Sequence, residues 1–162
     1  MSLKKRFDIG STVVLAFLGL AVCSWSCADT SKDRCQEKTD VFLNAGLFND
    51  STKKECSLKL SAYGLDRDSM WYASQNLKSL EFPLNPNEEE TDFVLVFEDR
   101  QVCDTLRFFY TNEPKLLSVV CGGIVVHHLQ DVRTTLHGIS SVEILEPEVT
   151  NSALPNLKIL VR

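Results

Sequence analysis

Three histidines, scattered carboxylates, a few aromatics and six cysteines are the residues of this 162-residue chain whose types could do chemistry. Their spacing decides which chemistry is open to them. His127 and His128 are adjacent, and on an extended strand adjacent side chains point to opposite faces, so the pair does not readily share a metal ion. His137 lies farther on, and no carboxylate stands at a ligand spacing from any of the three. A structural or surface role is expected for each, with no metal and no cofactor. Gly-x-Ser-x-Gly and His-Glu-x-x-His are both absent, so a hydrolase would need an unrecognised site built from two carboxylates or a nucleophile and its base. Asp66, Asp68 and Asp99 fall in turns, where aspartate usually bonds its own backbone. Glu88-Glu89-Glu90 with Asp92 offers oxygen ligands, but without the spacing of a calcium loop it reads as a solvated acidic loop. Trp71, Tyr72 and Tyr63 stand beside polar turns. Their rings either stack on sugars or fill a core, where aromatics bring large buried area.

The cysteines take their meaning from compartment. Lys4, Lys5 and Arg6 precede an apolar run from Val13 to Val22, the layout of a signal peptide. The run is shorter than the roughly 20 residues a membrane-spanning helix needs. It ends in Leu-Ala-Val-Cys-Ser-Trp-Ser-Cys, residues 20–27, which looks like a bacterial lipoprotein junction, where a cysteine becomes the lipidated first residue of the mature chain. Cys27 has the small Ser26 before the cut but Ser24 where Leu or Val is preferred. Cys23 has Leu20 upstream but bulky Val22 before the cut. The small residue favours Cys27, with Cys23 as the alternative. Parity points the same way, since losing Cys23 and lipidating Cys27 leaves Cys35, Cys56, Cys103 and Cys121, an even set in an oxidising compartment. The expected pairing is Cys35–Cys121 with Cys56–Cys103, which would tie an N-terminal tether to the domain; free buried thiols are the alternative. No Cys-x-x-Cys pair suggests zinc.

Processing before Cys27 would leave 136 residues with a net charge of −7, one domain's length and an acidic surface. That charge excludes a nucleic-acid partner, whose phosphates need clustered Lys and Arg, and a polybasic hold on anionic lipid. The membrane would be held through the lipid alone.

The elements that must position these residues are strands. Residues 1–26 form the signal peptide and 27–38 a polar tether, and from 39 to 162 a period-two pattern predicts one β domain. Val41, Leu43, Ala45 and Leu47 alternate with mostly polar neighbours, which predicts a first strand, and Leu58, Leu60 and Ala62 do the same, which predicts a strand with one wet face. A short strand is expected at Met70–Ala73, and an edge strand near Leu80–Leu84 because of Pro83. Phe93–Phe97 is apolar on both faces and predicts a central strand. Leu106, Phe108 and Tyr110 share a face. Asn112–Lys115 reads as a tight connection, Gly122-Gly123 as a hairpin or bulge needing positive φ, and 130–138 as irregular. Strands at Ser141–Leu145 and Leu157–Val161 close the chain. The count gives an all-β antiparallel sandwich of eight or nine short strands.

Tyr63-Gly64-Leu65 with Asp68-Ser69, Phe82-Pro83-Leu84-Asn85, Thr91-Asp92-Phe93, Asp104-Thr105-Leu106, Tyr110, and Ser118 through Cys121-Gly122 follow one another in this order. Together, over residues 35–161, they resemble an uncharacterised family of small Bacteroidetes cell-envelope lipoproteins, known only by a domain-of-unknown-function label. The resemblance implies export, lipidation and a β-rich domain, and no activity. In that setting Asp68-Ser69-Met70 is similar to an O-glycosylation acceptor at Ser69, and Trp71, Tyr63 and Tyr72 become candidates for glycan stacking. The expected function is a lipid-anchored, non-enzymatic binding or assembly module of the cell envelope, facing the periplasm or the cell surface, with envelope proteins or glycans as partners. A glycan-binding accessory domain is the alternative, and a hydrolase the last.

Overall fold

A computed structural model describes residues 34–65 and 70–162 of the chain. Two compact units divide it, Met1–Cys35 and Gln36–Arg162; of the first, only Arg34 and Cys35 are described. The second is all β among the described residues. Its strands are β1 (Leu43–Asn49), β2 (Leu58–Gly64), β3 (Met70–Leu77), β4 (Ser79–Phe82), β5 (Glu90–Phe97), β6 (Val102–Ser118), β7 (Gly122–Thr134), β8 (Ile139–Ile144), β9 (Glu148–Val149) and β10 (Leu157–Val161).

They form two sheets, of order β4-β1-β10-β8 and β3-β2-β5-β6-β7-β9. Alternation decides what each sheet buries. Leu43, Ala45, Leu47, Leu80, Phe82, Leu157 and Ile159 of the smaller sheet share one core with Leu60, Ala62, Phe93, Leu95, Phe97, Leu106, Phe108 and Tyr110 of the larger. The Phe82 ring lies 4.9 Å from Phe93 and 5.2 Å from Phe108, tying β4 to β5 and β6. Fully burying each such side chain contributes about 1.5–3 kcal/mol, so the β-sandwich rests on this cluster. Phe93–Phe97 is central as expected, with β2 on one side and β6 on the other.

Several elements differ from the sequence reading. The sandwich is mostly rather than wholly antiparallel, because β1 pairs β10 in parallel, Ala45 opposite Leu157. β3 runs on to Leu77, and the two-residue β9 adds to the large sheet. Asn112–Lys115 is no turn. β6 continues through Pro114, opposite Val125 of β7. Its ladder with β5 ends at Phe109, so beyond that point one flank of β6 has no strand neighbour among the described residues, the setting in which a proline removes no ladder bond. β7 likewise occupies much of the stretch expected to be irregular. The hairpin turns at residues 119–121, and the double glycine opens β7, with Gly122 at φ 75° opposite Ser118 where the register shifts. Ser61, expected on a wet face, is buried: its hydroxyl donates to Glu98 (2.7 Å) and accepts the Ser74 N–H (2.9 Å), filling a bulge between β2 and β3.

Candidate functional site

The concave surface that best gathers uncommitted polar groups lies on the outer face of the smaller sheet. Asn44, Gly46 and Phe48 alternate outward from β1, beside Ser79 and Glu81 of β4. Lys78 and Glu55 join them on one side and Leu145 and Pro155 on the other, enclosing a groove of about 390 Å³. Gly46 is what permits it. A Cβ there would meet the Phe48 ring at 2.9 Å, so a larger residue would push that ring from its place along the strand. The Lys158 ammonium stands 5.4 Å from the ring centroid and also pairs with Glu143 at 3.1 Å. Among the described residues, the side chains of Glu55, Lys78, Ser79 and Glu81 make no hydrogen bond or ion pair. Glu55 and Glu81 face solvent, unlike the shielded acid that glycosidic cleavage needs. The groove sets one aromatic ring beside exposed polar groups.

Trp71, Tyr72 and Tyr63 do not form one stacking face. Tyr72 packs on the core opposite Ala62, whereas Tyr63, the next residue along β2, turns to the other face of the large sheet. Trp71 stacks near Phe42 (5.9 Å) and Tyr72 (6.2 Å) and stays 42% exposed. The polar ends of both rings are committed. The Trp71 indole N–H donates to the Glu81 carbonyl (2.7 Å), and the Tyr72 hydroxyl accepts the Glu81 N–H (3.0 Å). Since β4 is the last strand of its sheet, the two rings satisfy backbone groups that an edge strand leaves open.

The histidines are as dispersed as their sequence positions suggest, but two do find carboxylates. His128 faces outward and meets Glu148 at 2.5 Å across the β7–β9 pair, and His137 lies 3.2 Å from Asp104. Strand pairing and the short connection between β7 and β8 supply these contacts, which no local spacing could show. His127 points inward, its Nδ1 2.6 Å from the Asn112 side-chain oxygen and its ring edge-on to Tyr110. Burial holds the His127 pKa below its ordinary value, so the ring is neutral at pH 7.

Asp104 is the group that sequence reading missed. It is 1% exposed, yet it accepts bonds from the Thr135 hydroxyl and from the N–H groups of His137, Gly138 and Ile139, all at 2.7–2.8 Å. Burial alone would raise its pKa; the three N–H donors and the Thr135 hydroxyl outweigh burial and pull it below the usual value. One carboxylate thus pins the loop between β7 and β8 to β6. Cys103 and His137 come near Asp104, but the thiol makes no hydrogen bond among the described residues, so they do not form a nucleophile and base. Tyr110 is tied in similarly: its hydroxyl accepts the Asn85 N–H (2.9 Å) and lies 2.6 Å from the Thr91 hydroxyl. Of the residues expected to form an acidic loop, Glu90 and Asp92 lie on β5, where Arg107 across the ladder clamps Asp92 through two bonds of 2.8 and 2.6 Å, and among the described residues no cluster could hold a metal. Asp99 is an exposed turn residue.

Cys35 and Cys121 are each disulfide-bonded. Cys56 and Cys103 are free thiols, which corrects the pairing expected for them. Cys56 packs partly buried against the core, while Cys103 is exposed. Cys23, Cys27, Asp66, Asp68 and Ser69 lie outside the described residues.

Residues 59–161 match a sequence family described as a family of unknown function, DUF6452. No curated protein and no solved structure matches the chain.

Proposed function

We propose, starting from a chain that belongs to the DUF6452 family of unknown function, that this protein is a lipid-anchored, non-enzymatic binding module of a bacterial cell envelope. The observation that carries the binding role is the groove beside Phe48, whose Glu55, Lys78, Ser79 and Glu81 side chains have no partner among the described residues. By contrast, Asp104, Asp92, Tyr110 and His127, the groups most able to move protons, are bonded into the framework. The anchoring role is supported by the basic start, the short apolar run and the Ser26-Cys27 junction. The Bacteroidetes envelope, facing the periplasm or the cell surface, is the setting the motif resemblance supports. Envelope fractionation of single variants tests the anchor. Cys27→Ser should release the chain from the membrane pellet and Cys23→Ser should not; equal behaviour of the two variants contradicts Cys27 as the lipid site.

A second reading, a glycan-binding accessory domain, is favoured by the same groove, because an aromatic ring beside unspent polar groups suits a sugar. It shifts the stacking residue from Trp71, Tyr63 and Tyr72 to Phe48. Titration of the full chain with neutral oligosaccharides should show binding that Phe48→Ala abolishes, and binding unaffected by that substitution refutes the groove as the site.

A further inference from the structure

We propose that the tip of the β6–β7 hairpin inserts into the lipid bilayer interface and so fixes the orientation of the domain on its membrane. From Leu116 to Val126 the chain carries no charged residue, between Lys115 and His127. Among the described residues its strands pair with each other alone here, since β5 leaves β6 at Phe109 and β9 meets β7 only at His127 and His128. At the tip Leu116 is 71% exposed, Val119 96% and Val120 52%.

The chemistry, area and position of the tip select lipid as its occupant. The tip offers almost no hydrogen-bonding side chain, because the Ser118 hydroxyl already accepts the Cys121 N–H at 3.0 Å, whereas a protein interface carries about one hydrogen bond per 100–200 Å². Three exposed side chains also fall well short of the about 800 Å² per partner of a stable protein complex. Finally, the inference rests on the anchored reading for its geometry. The chain from Cys27 to Gln36, the first residue of the domain, can span at most about 30 Å, which keeps the domain beside the bilayer. Leu116 to Val119 reach roughly 10 Å at about 3.3 Å per residue. That matches the roughly 5–10 Å depth of interfacial insertion, with Lys115 placed to snorkel at the headgroups.

The test uses the full chain carrying Val119→Trp, a substitution at a solvent-facing turn position, with phosphatidylcholine vesicles made with or without brominated acyl chains. The expected result is a blue-shifted emission and at least about twofold quenching of the introduced indole by brominated lipid, with the unsubstituted chain as background. Val120→Asp in the same chain should abolish the quenching. Lipidated chain that floats with the vesicles yet shows no quenching overturns the inference while leaving the anchor intact. Quenching that persists in a Cys27→Ser chain supports the tip even if the anchored reading fails. Absence of quenching together with self-association that Val119→Asp disperses overturns it in favour of a second copy.

Discussion

Removing the Asp104 carboxylate tests how the structure uses its most deeply placed charge. Asp104→Ala would strip the acceptor from the Thr135 hydroxyl and from three backbone N–H groups, of which those of Gly138 and Ile139 are fully buried. An orphaned buried donor costs about 1–3 kcal/mol, so two of them give an expected loss of about 4 kcal/mol. The loop has little freedom to escape this, because a Cβ at Gly138 would already meet the Phe97 ring at 2.8 Å. Asp104→Asn keeps one acceptor and turns an amide N–H₂ toward donors, for an expected loss of about 2 kcal/mol. Urea unfolding followed by near-UV circular dichroism reads both as a lowered midpoint. The pH dependence carries the sign. Because the folded carboxyl has a depressed pKa, its contribution is present above the unfolded value of about 3.9 and is lost as pH falls through the folded value. The gap between wild type and Asp104→Asn should therefore be constant from about pH 5 to 7 and shrink below about pH 4. A loss under about 1 kcal/mol for Asp104→Ala, or a gap that widens in acid, refutes the reasoning.

Three further outcomes follow from particular contacts. Because burial depresses the His127 pKa, the unfolded chain binds a proton first, so His127 costs stability as pH falls below about 6.5; His127→Gln should show a shallower decline between about pH 7 and 5, measured by urea midpoints. Burial raises the Cys56 thiol pKa, and Cys103 is exposed, so without reduction iodoacetamide should label Cys103 first and Cys56 more slowly, as peptide mapping would show; equal rates contradict the placement. Trp71→Phe removes the donor to the Glu81 carbonyl at the β4 edge and should cost about 1 kcal/mol in urea unfolding while speeding amide exchange in β4.

The fold was legible where a strand declares its own face. Leu43-Ala45-Leu47 and Leu106-Phe108-Tyr110 show their buried sides by alternation, and Phe93–Phe97 shows two covered faces by its unbroken apolar run. What escaped depends on partners distant in sequence. The parallel pairing of β1 with β10 joins opposite ends of the domain, and no local pattern records it. Pro114 reads as a turn until the absence of a β5 neighbour beyond Phe109 makes it harmless in β6. Asp104 reads as one polar residue in a strand because its donors lie more than thirty residues away. The groove was hidden for a related reason, since Phe48 and Gly46 become a site only when β4 brings Ser79 and Glu81 beside them.

The anchored reading is tested most directly by the intact mass of the processed protein, alkylated before and after reduction. The mature chain should begin at Cys27, carry a lipid, and hold two thiols open to alkylation without reduction, Cys56 and Cys103, and four after it. A chain that keeps residues 1–26, or one whose Cys27 bears no lipid, would contradict it.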